Sequence, residues 1–232
     1  MSLGATTFVP TANTKAYYKL ENVNDSSGNS KTLTNNNSVS FVSGKFANAA
    51  DFGSANSTKY LDIADNLGLG TYNADTWTVS QWINLTTAPS STEQQCLFGV
   101  NNNSKAQLNI TYDANSGTPR FSMTIYNGST AASATVTKTI STGSWHHIVL
   151  IKNGTTFAVY YDGALAGSNT YSISDGSPAR PNQVSVGRNV FDSANFYKGL
   201  IDEIVIESSV WTATQIRKYY SQSLGRFAPR MI

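Results

Sequence analysis

The sequence predicts an all-β chain: an antiparallel two-sheet sandwich with one short C-terminal helix. Three observations carry that prediction. Residues 144–168 read as two strong strands about a tight turn, other short stretches alternate apolar and polar residues with period two, and turn-forming clusters recur along the chain. In the first of these, residues 145–151 are β-branched and aromatic, Asn153-Gly154 is a hairpin-turn dipeptide, and residues 157–161 are strand-like again up to Asp162-Gly163. Alternation is plain in Phe121-Ser122-Met123-Thr124-Ile125 and in Trp77-Thr78-Val79-Ser80-Gln81-Trp82. Strands with one apolar and one polar face, joined by short turns, are what two face-packed antiparallel sheets require.

Taken in order, residues 1–14 are polar and irregular, with Pro10, and read as an N-terminal arm. Residues 15–222 read as one domain. Its strands are separated by Asn-, Ser-, Thr- and Gly-rich loops such as Asn35-Asn36-Asn37-Ser38 and Asp175-Gly176-Ser177-Pro178. The helix signal comes late: Thr212 with Gln215 three residues on forms a capping box, and Ile216, Tyr219 and Tyr220 make a short apolar stripe. Gly225 and Pro229 end regular structure, so residues 223–232 read as a tail.

The chain has 232 residues, 40% of them hydrophobic, enough for one large β domain. Only 13% are charged and the formal net charge is +2, a balance that gives no electrostatic case for nucleic acid or an anionic membrane as the main partner. A single cysteine, Cys96, rules out an internal disulfide and, in Cys96-Leu97-Phe98-Gly99-Val100, reads as a small buried residue. No apolar run reaches the roughly 18 residues of a membrane span. The N-terminus lacks the basic-then-apolar pattern of a signal peptide.

Catalysis finds little support in the residues. Glycoside hydrolysis needs two carboxylates, about 5–5.5 Å or roughly 6.5–9.5 Å apart. Glu203 and Glu207 share a strand face but lie about 13 Å apart along it, and read as solvent-facing groups on an outer strand. His146 and His147 are adjacent, so on a strand they face opposite ways and cannot chelate one metal. As hydrolase bases they would need a nucleophile and an orienting acid, which spacing alone does not supply. The chain reads as a non-enzyme.

Trp145-His146-His147 with a hairpin ending Tyr160-Tyr161-Asp162-Gly163 resembles the laminin-G-like family of the concanavalin-A-like lectin/glucanase superfamily. Other stretches fall in that family's order. They are Ala16-Tyr17-Tyr18-Lys19-Leu20 with Asp25-Ser26-Ser27-Gly28-Asn29, Gly44-Lys45-Phe46 through Tyr60-Leu61-Asp62-Ile63, Thr76-Trp77-Thr78-Val79-Ser80-Gln81-Trp82-Ile83, and Val186-Gly187-Arg188 with Gly199-Leu200-Ile201-Asp202-Glu203-Ile204. The resemblance covers residues 15–220 and implies a jelly-roll sandwich. It also implies a structural calcium joining the Asp25 loop to Asp202, ligands of the oxygen type that calcium takes.

Carbohydrate binding follows from the same resemblance together with loop aromatics, since sugars stack on rings and offer hydroxyls to amides and carboxylates. The segment 190–197 interrupts two of the family's strands, and the expected sugar-binding residues are Asn189, Phe191, Asp192, Asn195 and Tyr197. Trp77, Trp82, Trp145 and Trp211 read as core. The expected function is a recognition module for a glycan or a surface protein, placed outside the cell or on a virion. The alternative is a structural subunit of such an assembly, associating through its terminal tails.

Overall fold

A computed structural model describes residues 8–54, 57–102, 106–114, 117–175, 182–190 and 194–225. One sheet contains β1 (Thr14–Tyr18), β3 (Ser40–Ser43), β4 (Asn48–Asp51), β6 (Thr76–Leu85), β11 (Trp145–Asn153), β12 (Thr156–Tyr161), β13 (Ala164–Thr170) and β15 (Gly199–Glu207). Its order is β13-β12-β11-β6-β15-β4-β3, with β1 also paired to β15. The other holds β2 (Thr34–Asn36), β5 (Tyr60–Ile63), β7 (Gln94–Asn102), β8 (Ala106–Asp113), β9 (Arg120–Tyr126), β10 (Ala131–Thr137) and β14 (Gln183–Val186), in the order β10-β9-β8-β7-β14-β5-β2. The one helix among the described residues, α1, is Ala213–Gly225. The fold is the antiparallel jelly-roll sandwich that the sequence predicts. No helix among the described residues is long and apolar enough to cross a membrane.

The alternation of each strand decides its inner face. Trp77, Val79, Ile83 and Leu85 of β6, Ile148 and Leu150 of β11, Leu108, Ile110 and Tyr112 of β8, and Phe121, Met123 and Ile125 of β9 join one core between the sheets. Each such side chain contributes about 1.5–3 kcal/mol by leaving water. Gln81 is fully buried, and both its amide atoms lack a hydrogen-bond partner among the described residues.

A second apolar cluster lies outside the sandwich. Tyr17, Val149, Ile151 and Val205 face away from the main core, where Trp211, Ile216 and Tyr219 and the ring of Phe8 cover them. This third layer is why β6, β11 and β15 carry apolar residues on both faces. The capping box forms as expected: Thr212 N–H donates to Gln215 Oε1 at 2.8 Å, and Gln215 N–H to Thr212 Oγ1 at 3.3 Å.

The hairpin turn sits one residue later than the Asn-Gly dipeptide suggests. Asn153 pairs with Thr156, so Gly154 and Thr155 form the loop, and Gly154 at φ 62° supplies the positive φ that a primed turn needs first. β15 is a central strand, not an outer one, and Glu203 and Glu207 are buried. Glu203 accepts the Tyr17 hydroxyl at 2.5 Å, and Glu207 takes Thr14 Oγ1 at 2.6 Å and Trp211 Nε1 at 3.2 Å. The solvent-facing reading of the two glutamates is thereby corrected: the helix layer roofs that face of the sheet. Trp77, Trp82 and Trp211 are buried, while Trp145 is half-buried.

Candidate functional site

The face of the second sheet turned away from the core carries the polar half of each alternating strand. Cross-strand pairing aligns these residues into a row: Ser185 opposite Gly99, Gly99 opposite Asn109, Asn109 opposite Thr124, and Thr124 opposite Ser133. All are small or of moderate size, so the row is low. Gly99 matters here because a Cβ would meet Asn109 Oδ1 at 2.9 Å and Val190 Cγ2 at 3.0 Å. Its missing side chain lets the 188–190 segment close over one end of the row.

Gln94, Asn109, Thr111, Thr124, Tyr126, Ala131 and Asn189 line the resulting cleft, whose volume is about 330 Å³. That is within the range of small-molecule sites, about 300–1,000 Å³. Asn109 is buried, and its Oδ1 has no hydrogen-bond partner among the described residues, an acceptor that costs about 1–3 kcal/mol when left unmet. Thr124 and Ser133 share a hydroxyl hydrogen bond at 2.9 Å. Tyr126 is half-buried at the wall. Among the described residues that line the cleft none is a carboxylate. Nearby, the Arg188 guanidinium lies 3.7 Å from the centre of the Tyr60 ring.

The expected sugar-binding residues separate. Asn189 lines the cleft. Asn195 sits beside it in sequence fold-back, its carbonyl accepting Cys96 N–H at 2.7 Å and its φ at 54°. Phe191 and Asp192 lie outside the described residues. Tyr197 is a correction: it is wholly buried in the main core, edge-on to Phe52 at 6.0 Å, and offers no face to a ligand. The reason is the chain path, because Tyr197 N–H donates to Gly187 O at 2.9 Å and draws that side chain beneath the loop. The strand residues Asn109, Thr111, Thr124 and Tyr126 escaped the sequence reading. Their signal was the polar half of an alternation read only for its apolar half.

The two expected calcium ligands have separate partners. Asp25 accepts the N–H groups of Tyr17, Ser27 and Lys31 and the Ser27 hydroxyl at 2.8–3.1 Å, and these bonds hold its carboxyl below the usual range against the opposing effect of burial. Asp202 accepts Phe46 N–H at 2.9 Å through Oδ2, while Oδ1 is buried with no hydrogen-bond partner among the described residues. Burial pushes its pKa up to about 8, and Glu203 and Glu21 add to the rise. Among the described residues, no group of three or more His, Cys, Asp or Glu side chains is placed to hold a metal ion.

Two opposed antiparallel sheets with a polar cleft on one face define a lectin-type sandwich. The chain belongs to the concanavalin A-like lectin/glucanases superfamily, whose laminin-G-type family model matches residues 54–217. By sequence it matches none of the curated proteins. Among solved structures it is similar to domain 4 of AbnA, an extracellular arabinanase from Geobacillus stearothermophilus solved in complex with arabinotriose. That likeness has 19% identity and a TM-score of 0.67 and covers 89% of this chain and 97% of that one. It is also similar to the receptor-binding domain of botulinum neurotoxin type G, at 14% identity and TM-score 0.69 over 90% of this chain. A third likeness is to the binding domain of botulinum neurotoxin DC in complex with rat synaptotagmin II, at 12% identity and TM-score 0.70 over 91% of this chain. The chain spans about half the length of the two neurotoxin domains, 51% and 52%.

Proposed function

We propose that this domain is a recognition module that binds carbohydrate along the Gly99–Asn109–Thr124 row. The observation that carries the reading is the cleft itself: an unmet amide oxygen on Asn109 at its floor, amides and hydroxyls around it, and the Tyr126 ring at its wall. A sugar hydroxyl meets the first, and a sugar C–H face stacks on the last. The domain in complex with arabinotriose supports the class of ligand. Retention on glycan-bearing gels or arrays is the test. Tyr126→Ala and Asn109→Ala should each weaken it roughly tenfold or more, about 1.4 kcal/mol. A wild-type protein that ignores every glycan, or variants retained as well as the wild type, would sink it.

A protein receptor is the second reading, supported by the neurotoxin domain bound to synaptotagmin II. An extracellular or virion-surface setting, including self-assembly through the tails, belongs to the same proposal. Residues 1–7 and 226–232 of those tails lie outside the described residues. The calcium expected at Asp25 and Asp202 is supported by Oδ1 of Asp202, buried with no hydrogen-bond partner among the described residues, and opposed by the four donors already on Asp25. Calcium at about a hundredfold over its Kd would add about 2.7 kcal/mol. Coincident thermal melts with calcium and with chelator would remove it from the proposal.

A further inference from the structure

The fold supplies for His146 the two partners that spacing alone does not. Its Nδ1 lies 2.9 Å from Asp162 Oδ2, and its Nε2 lies 2.7 Å from Ser141 Oγ. The three residues come from the middle of the β10–β11 connection, the start of β11 and the β12–β13 turn, while the cleft lies on the other sheet. We infer that Ser141, His146 and Asp162 form a nucleophilic serine site that accepts acyl groups from small carboxylic esters.

Each member is held in its role. Asp162 accepts the His147 N–H through Oδ1 at 2.8 Å and donates its own N–H to His147 O at 2.8 Å, which leaves Oδ2 aimed at the imidazole. With the ring proton on Nδ1 toward Asp162, Nε2 faces Ser141 as an acceptor. Ser141 is exposed but anchored on both sides. Ile140 N–H donates to the Tyr112 hydroxyl at 2.9 Å, and Gly143 N–H to Leu85 O at 2.9 Å. His146 is mostly shielded, its side chain 12% exposed, and the Tyr161 ring stacks on it with centroids 4.8 Å apart. The Tyr161 hydroxyl stands 2.6 Å from Nδ1 and 3.2 Å from Nε2. Burial and Asp162 push that phenol up to about 12, so it stays neutral and is no rival base.

The chemistry balances with water as the second reactant. Ser141 Oγ attacks the ester carbonyl carbon while His146 Nε2 takes the hydroxyl proton. The bond from carbonyl carbon to leaving oxygen breaks, and the imidazolium returns the proton to the departing alkoxide, leaving an acyl-serine and a free alcohol. Water, deprotonated by the same Nε2, then attacks the acyl carbonyl and releases the carboxylic acid with the serine hydroxyl restored. The open position of Ser141 suits a short acyl group such as acetyl. Ser141 and His146 touch the reacting atoms, and Asp162 is a positioning residue.

The test is covalent labelling of the folded protein with p-nitrophenyl acetate and with a fluorophosphonate probe, read by intact mass and peptide mapping. One adduct at Ser141 is expected. It is absent in Ser141→Ala, is kept in Ser144→Ala, and forms roughly 100-fold or more slowly in His146→Ala, the usual worth of a general base. Asp162→Asn should slow labelling and Asp162→Glu should restore part of the rate, because the imidazole then regains a carboxylate that orients it. Ser141 is exposed, so its variant should melt like the wild type. Equal labelling of many exposed serines, an undiminished adduct in Ser141→Ala, or a His146→Ala rate equal to wild type would each overturn the site.

Discussion

Asp202→Asn is expected to be more stable than the wild type at pH 8 and no more stable than it by pH 4. Asp202 is fully buried, and its pKa rises from 3.8 to about 8, first through burial and then through Glu203 and Glu21. A raised folded-state value means that the group's favourable contribution is complete below pH 3.8 and is lost as pH climbs through 8. Asparagine keeps an oxygen for Phe46 N–H and never ionises. Its advantage should therefore be on the order of 5 kcal/mol at pH 8, shrinking by about 1.4 kcal/mol per unit as pH falls. Urea unfolding at pH 4, 6 and 8 measures it, and a difference that stays flat with pH would contradict a carboxyl whose burial raises its pKa.

His147 acts with the opposite sign. It is fully buried between Trp82 and the rings of Tyr219 and Tyr220, with Nε2 on Ser80 Oγ at 2.8 Å. Burial lowers its pKa from 6.5 to about 3, so its contribution is complete above pH 6.5 and is lost as pH falls toward 3. Between pH 6.5 and 4 the slopes of Asp202 and His147 oppose each other in the wild type. The Asp202→Asn variant unmasks the histidine, and its stability should fall through that window where the wild type's stays level.

Lys152→Met carries the second large effect, a net loss of about 1–3 kcal/mol, the cost of acceptors losing a donor less the relief of removing a buried charge. Lys152 is fully buried at one end of the sandwich. Its ammonium donates to the carbonyls of Tyr72 at 2.5 Å, Asp75 at 2.9 Å and Gly154 at 2.8 Å. Burial draws its pKa down to about 8, so the group remains charged at neutral pH with three donors for three acceptors. Methionine keeps the stem's packing but takes one donor from each carbonyl, leaving Tyr72 O with Asp75 N–H at 3.0 Å and Gly154 O with the Tyr171 hydroxyl at 3.3 Å, and so loosens the 69–75 segment from the hairpin turn. Chemical unfolding at pH 7 reads the loss. A variant within about 0.5 kcal/mol of wild type, the range of surface substitutions, would show that these carbonyls find other partners.

The strands, the hairpin and the helix cap were legible because their causes are local. Period-two alternation in β9, the β-branched run of β11 and the Thr212–Gln215 box each depend on residues a few positions apart. Asn189 was legible as part of a loop that breaks two strand motifs. Tyr197 was misread because neighbours in a loop do not reveal which side chain turns inward. Asn109, Thr111, Thr124 and Tyr126 looked like ordinary solvent-facing residues, since nothing along the chain says that β7, β8, β9 and β10 lie side by side.

By itself, then, the sequence determined the class of fold, the alternation of its strands and the cap of its helix, all properties of short-range pattern and composition. Tertiary structure alone decided which polar residues share a cleft, which ionisable groups are sealed from water, and which serine meets His146. Those outcomes depend on strand order, register and the helix laid over one sheet. They arise from burying apolar area across the whole chain, a sum to which no local stretch holds the answer.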